Sequence, residues 1–194
     1  MAAPVALITG AAHRLGAHTA ETLHGRGWNV VIHYRSRQEQ ARQLIDKLNR
    51  ERADSATSVQ ADLTNPEDLA RLAKTACEHW QRLDGLVNNA SVFYPNPTES
   101  ATEDDWQGIM GANLKAPFFL LQHCLPALKK SSGAVVNLID IYSESPSRTT
   151  RCTVPARLAS PPSPAPGPRT WLMCDAPFVT GQIISVDGGR SLNM

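Results

Sequence analysis

The sequence lacks long apolar runs, an excess of charge of either sign, closely spaced cysteines, and more than a thin scatter of aromatics. Each absence excludes something. No run reaches the length of a membrane-spanning helix, so a membrane partner is not expected. The net charge is +1 over 194 residues, so bulk charge supplies no attraction to nucleic acid or to a lipid surface. No basic region followed by an apolar core opens the chain, so no secretory signal is expected. Cys77, Cys124, Cys152 and Cys174 have neither metal-ligand nor C-x-x-C spacing; reduced thiols, no metal and a cytoplasmic location are expected. With 42% apolar residues, the chain is long enough for one domain with a sizeable core.

What is present begins at the amino end. Val5-Ala6-Leu7-Ile8-Thr9 is an uncharged β-favouring run, as in a strand buried on both faces of a parallel sheet. Gly10-Ala11-Ala12-His13-Arg14-Leu15-Gly16 follows, and then a helix-compatible segment from Ala17 to His24, stopped by Gly25-Arg26-Gly27. Strand, Gly-containing turn and helix aim backbone N–H groups at a phosphate. The spacing is not G-x-G-x-x-G, because Ala12 stands where its second Gly belongs. Asn29–Tyr34 reads as the second strand, and its tip carries Arg35-Ser36-Arg37. In a βαβ nucleotide site this tip faces the adenosine ribose, and guanidiniums there suit a 2′-phosphate, which predicts NADP(H) over NAD(H); the other reading is a solvated basic loop.

Further along, Gln38–Arg52 has the spacing of an amphipathic helix, and Thr57–Ala61 that of a short strand. Asn65 is placed to cap a helix with Pro66 at its first position. Leu83–Val87 is a fourth strand leading into Asn88-Asn89-Ala90-Ser91. Glu103–Lys130 contains a long helix that Pro117 and Pro126 are expected to kink or divide. Ala134–Ile139 is a fifth strand, closing on Asp140. Strands alternating with helices at this spacing predict an α/β fold with a doubly wound parallel sheet.

The character then changes. Eight of the fourteen prolines (Pro146, Pro155, Pro161, Pro162, Pro164, Pro166, Pro168, Pro177) fall within residues 145–177. Alternating prolines forbid a helix and disfavour a central strand, so this segment is expected to be irregular. Order is expected to return in a terminal strand across 178–189, docked directly on the fifth strand or forming a poorly packed edge.

Thr9-Gly10 with Gly16, Asp62-Leu63, Asn88-Asn89-Ala90, Asn113 and Val186-Asp187-Gly188-Gly189, in this order, resemble the short-chain dehydrogenase/reductase family. Arg14 in place of the family's usual second Gly, Asn89–Pro95, His33-Tyr34-Arg35-Ser36 and Asp140 resemble its pteridine reductase branch. The resemblance covers roughly Pro4–Glu144 and Ala176–Leu192. It implies a single Rossmann-like domain over 1–194, disrupted after the fifth strand. It implies that Gly10, His13, Arg14, Leu15 and Gly16 cradle a pyrophosphate, and that Tyr34, Arg35 and Ser36 hold the 2′-phosphate. Asp62 and Leu63 would bracket the adenine, and Asn89, Ala90 and Ser91 would line the nicotinamide half. Ser91 and Phe93 would meet the substrate, with Phe93 stacking on a flat pterin ring; a loop aromatic packed into the core is the alternative. Asn113 would hold a relay water, or else be a helix-interior polar residue satisfied by a backbone carbonyl. Asp140 would relay or orient a proton.

Chemistry in that family uses a Tyr and, four residues on, a Lys. Here Tyr34, Tyr94 and Tyr142 are followed at that distance by Gln38, Thr98 and Pro146, and no lysine follows Lys130. The branch's spacing places the pair near Thr153 and Arg157. The abrupt Arg/Pro/Ser/Ala-rich text looks like a shifted reading frame or an internal deletion, which resequencing the coding DNA tests. The expectation is an NADPH-dependent reductase of a dihydropterin or folate-like C=N bond, impaired as written. The alternatives are an NADP(H)-binding module or a defective product without turnover. Relatives assemble as homo-oligomers, an assembly this chain is not expected to support.

Overall fold

The computed structural model describes residues 2–97 and 99–138, together with the backbone of 169–170. Strands β1 (Val5–Ile8), β2 (Asn29–Tyr34), β3 (Ala56–Gln60), β4 (Gly85–Asn88) and β5 (Ala134–Asn137) alternate with helices. The helices are α1 (Arg14–Gly25), α2 (Gln38–Glu51), α3 (Pro66–Glu78), α4 (Glu103–Met110) and α5 (Ala116–Ser131). All strand pairs are parallel, in the order β3-β2-β1-β4-β5 with a short β6 (Arg169–Thr170) at the edge. The chain winds outward from β1 through β2 to β3, then returns to β1's other side at β4. That reversal opens a crevice at the carboxyl ends of β1 and β4, where open α/β sheets bind ligands.

The uncharged β1 run is buried on both faces, as its composition predicts. Val5 and Leu7 belong to a core with Leu69 and Leu72 of α3 and Leu120 and Leu128 of α5. Ala6 and Ile8 point the other way, into a core with Ala20 of α1 and Leu44 and Leu48 of α2. Successive side chains of a strand alternate faces, so four residues serve two cores. Asp84 ties this centre down: its Oδ2 accepts the Val5 amide at 2.8 Å while Arg82 forks onto both carboxylate oxygens.

Helix ends follow the expected chemistry. Gly27, at φ +89, closes α1 in a Schellman arrangement, its amide donating to His24 O and the Trp28 amide to Leu23 O. Asn65 caps α3, accepting the Glu67 and Asp68 amides at 2.9 and 3.3 Å, with Pro66 at the first position. The long helix expected over Glu103–Lys130 is divided, but upstream of its prolines, by a π-helical turn at Gly111–Lys115. A proline ring crowds the carbonyl four residues earlier, and for Pro117 that residue is Asn113, in the middle of the wide turn. The α5 helix runs through Pro126.

The edge strand corrects one expectation in part. Arg169–Thr170 lies inside the segment read as irregular, and it pairs with Ala134 and Val135 of β5. Pro168 precedes the pair, and the start of a short edge strand is where a sheet accepts proline. The terminal strand expected over 178–189 lies outside the described residues.

Candidate functional site

The crevice at the strand reversal is a cleft of about 370 Å³. One wall is the turn after β1. Gly10 sits at φ +63, and a Cβ there would lie 3.0 Å from Ala90 Cα, so only glycine fits without strain. At Gly16 a Cβ would lie 2.6 Å from both Gly10 O and Asn89 Nδ2, so α1 packs this closely on the turn only without a side chain. Arg14 adopts φ +52, the left-handed conformation that glycine takes readily, which accounts physically for the family's usual Gly at this position. The first turn of α1 holds no acidic residue and its N-cap makes no side-chain bond, so neither offsets the helix's positive amide end.

Thr9 and Asn89 bind the two halves of the cleft together. The buried Thr9 hydroxyl accepts the Asn89 and Ala90 amides, each at 3.0 Å. Asn89 Nδ2 returns a bond to Thr9 O at 2.7 Å and to Gly10 O at 3.1 Å. These bonds tie Asn89 and Ala90 to the glycine turn.

The third wall is the tip of β2 and the end of β3. Tyr34 is buried against Ala12 and Ala41, whereas Arg35, Ser36 and Arg37 are exposed. Neither Arg35 nor Arg37 pairs with a carboxylate among the described residues. Burial, and then Arg37 and Arg14, hold the His13 imidazole below its usual range, so it is neutral at pH 7. The Asp62 carboxylate accepts the Thr64 hydroxyl and amide at 2.7 and 2.9 Å, and these bonds hold its pKa below the usual carboxylate range.

Gly10, His13, Arg14, Leu15, Gly16, Tyr34, Arg35, Ser36, Asp62, Leu63, Asn89, Ala90 and Ser91 thus line one cleft. Asn113 lies just beyond it. Its Nδ2 donates to Val92 O at 2.8 Å and its Oδ1 accepts the Val92 amide at 2.9 Å, so both ends of its amide clamp the loop after Ser91. The Asn113 side chain is thus satisfied by backbone groups of that loop. Phe93 is half-exposed and is not part of the lining. Asp140 lies outside the described residues. No lysine lines the cleft, and among the described residues no His, Cys, Asp or Glu cluster is arranged for a metal.

Sequence reasoning missed His33 and the bonding role of Thr9. His33 is 2% exposed, its Nδ1 facing the Gly10 amide and its Nε2 facing Ala61 O, each at 3.0 Å. The available signal was a polar residue inside an apolar strand, which must find partners when buried.

The short chain dehydrogenase family model matches residues 4–151. Pteridine reductase 1 of Leishmania tarentolae is 34% identical over 74% of this chain and 63% of its own length. The hydroxynaphthalene reductase-like protein Arp2 of Metarhizium majus is 32% identical over 70% of this chain and 51% of its own. Trans-4-hydroxycyclohexanecarboxylate dehydrogenase of Sinomonas cyclohexanicum is 34% identical over 73% of this chain and 56% of its own. The chain thus spans about half to two-thirds of the length of these relatives. No helix among the described residues is long and apolar enough to cross a membrane. With a matching model over most of its length and a glycine-turn cleft at the strand reversal, the chain belongs to the short chain dehydrogenase family, oxidoreductases built around a nicotinamide cofactor.

Proposed function

We propose that the cleft holds NADP(H) and that its reaction is reduction of a C=N bond in a dihydropterin or folate-like ring. The observation that carries the cofactor reading is the Arg35-Ser36-Arg37 tip of β2. It lines the same cleft as the glycine turn, and among the described residues its guanidiniums form no ion pair with a carboxylate. Two planar cations and a hydroxyl suit a 2′-phosphate. The cradle fits the remainder of a dinucleotide. Gly10 and Gly16 leave room where a Cβ would collide, and the amide end of α1 faces the cleft without an acidic side chain.

When bound, NADPH supplies the hydride. Arg14 and the α1 amides would hold its pyrophosphate, Arg35, Ser36 and Arg37 its extra phosphate, and Asn89–Ser91 the nicotinamide side. Asn113 keeps that last stretch in place through Val92. The substrate reading rests on the likeness to pteridine reductase 1 and on the branch motifs at Arg14 and His33–Ser36. Asp140 and Phe93 are assigned proton relay and ring stacking on the same basis.

A second reading, a nucleotide-binding module without turnover, is favoured by a specific observation. No lysine lines the cleft, and the sequence contains no Tyr-x-x-x-Lys. Titrating NADPH and NADH against the purified chain by cofactor fluorescence tests the cofactor. Tighter NADPH binding is expected, and equal affinities refute it. NADPH oxidation with dihydrobiopterin then separates a slow reductase from a pure binder.

A further inference from the structure

We infer that His33 is the positioning residue of the dinucleotide turn and holds Gly10 only as the neutral imidazole with its proton on Nε2, so that acid loosens the turn and weakens nucleotide binding. This rests on reading the cleft as an NADP(H) site.

The bonding pattern permits one tautomer. The Gly10 amide can only donate, so Nδ1, at 3.0 Å, must present its lone pair. Ala61 O can only accept, so Nε2, also at 3.0 Å, must carry the hydrogen. A second proton would place an N–H on Nδ1 against the Gly10 N–H. The bond is then lost and two donors face each other. His33 is 2% exposed, so the repulsion is poorly screened by solvent. The His33 carbonyl also accepts the Ala11 amide at 2.9 Å, so this one residue holds two consecutive amides of the turn.

The consequence reaches across the cleft. Gly10 O accepts from Asn89 Nδ2, and Ala90 packs on the Gly10 α-carbon. Ala61, the other partner of the imidazole, immediately precedes Asp62 and Leu63. His33 therefore ties together the ends of β1, β2 and β3 that form the site. The charged groups facing it are Asp62 after β3 and Asp68 on α3, which favour the imidazolium. His13, Arg14, Arg35 and Arg37 line the same cleft and share its sign. Burial outweighs the carboxylates and holds the imidazole below its usual range, so the neutral form persists at pH 7 and the change falls on the acid side.

NADPH binding is measured from pH 8 to pH 5 for the full chain and for His33→Asn. Asparagine's Oδ1 replaces Nδ1 as acceptor for Gly10 and does not titrate. The cofactor's 2′-phosphate titrates in both proteins, and protonation of His13 adds a cation beside a phosphate, which tightens binding. Neither accounts for a difference between the two. Wild type should lose roughly tenfold more affinity than His33→Asn on acidification, and parallel profiles overturn the inference while leaving the cofactor reading intact. Absence of NADPH binding at every pH removes both. Long-range 1H–15N correlation of the His33 ring in cofactor-free protein should show hydrogen on Nε2 alone near neutral pH; hydrogen on Nδ1 overturns the inference whatever the cofactor does.

Discussion

Replacing Arg14 with glycine should move stability and cofactor affinity in opposite directions. Arg14 stands at φ +52, where an L-residue's Cβ crowds the following carbonyl at a cost of about 1–2 kcal/mol. Glycine removes that crowding but loses roughly 0.5–1 kcal/mol through its freer unfolded chain. The difference favours Arg14→Gly by about 0.5–1 kcal/mol, a rise of about 1–4 °C in Tm for a domain this size. The same change deletes an exposed guanidinium from the cleft. A charge-assisted bond to a phosphate is worth about 1.5–3 kcal/mol, and exposure favours the lower end, so NADPH should bind about tenfold more weakly. Thermal melts without cofactor and NADPH titrations read the two effects separately. Arg14→Ala keeps the Cβ and should show the affinity loss without the gain in Tm. A lower Tm for the glycine variant refutes the strain argument, and unchanged affinity refutes the phosphate role.

Gly16→Ala should be far more damaging than its single methyl suggests. The new Cβ would meet Gly10 O at 2.6 Å and Ala11 Cα at 2.8 Å, backbone atoms that cannot step aside, so a loss of about 1–3 kcal/mol in urea unfolding and of NADPH binding is expected. Asn113→Ala frees both polar groups of Val92 and should cost roughly 2–3 kcal/mol; a denaturation midpoint like wild type would show that the clamp is dispensable. Stability should also fall as pH drops below about 6.5. His33 and His24 both have imidazoles held below the usual range, chiefly by burial, so the unfolded chain binds protons that the folded chain refuses. Urea midpoints at pH 7.5 and 5.5 measure this, and equal midpoints would contradict it. Charge reversal at the β2 tip, Arg35→Glu with Arg37→Glu, should abolish any preference for NADPH over NADH in the fluorescence titration; a surviving preference would place the 2′-phosphate elsewhere.

The features legible in the sequence were those a short window encodes. An uncharged Val5–Ile8 run could only be buried on both faces, and it is. Asn65-Pro66 and Gly25-Arg26-Gly27 mark helix ends because capping and left-handed closure are local chemistry. The sequence reads as a helix only from Ala17, whereas α1 starts at Arg14, because nothing in the identity of arginine announces a positive φ. Asn113 was legible as a position but not as a bond, since its partner, Val92, lies on another element. His33 is the sharpest case. Its two partners, Gly10 and Ala61, come from the turn after β1 and the end of β3, and only parallel pairing of β2 with both neighbours brings them within 3.0 Å of one ring. A buried polar side chain in an apolar strand thus announces that it has partners without naming them. In a parallel sheet, those partners lie on the strands beside it. At the carboxyl edge those strands end in the site, so a polar residue near the carboxyl end of a buried strand is where a sequence search for positioning residues should begin.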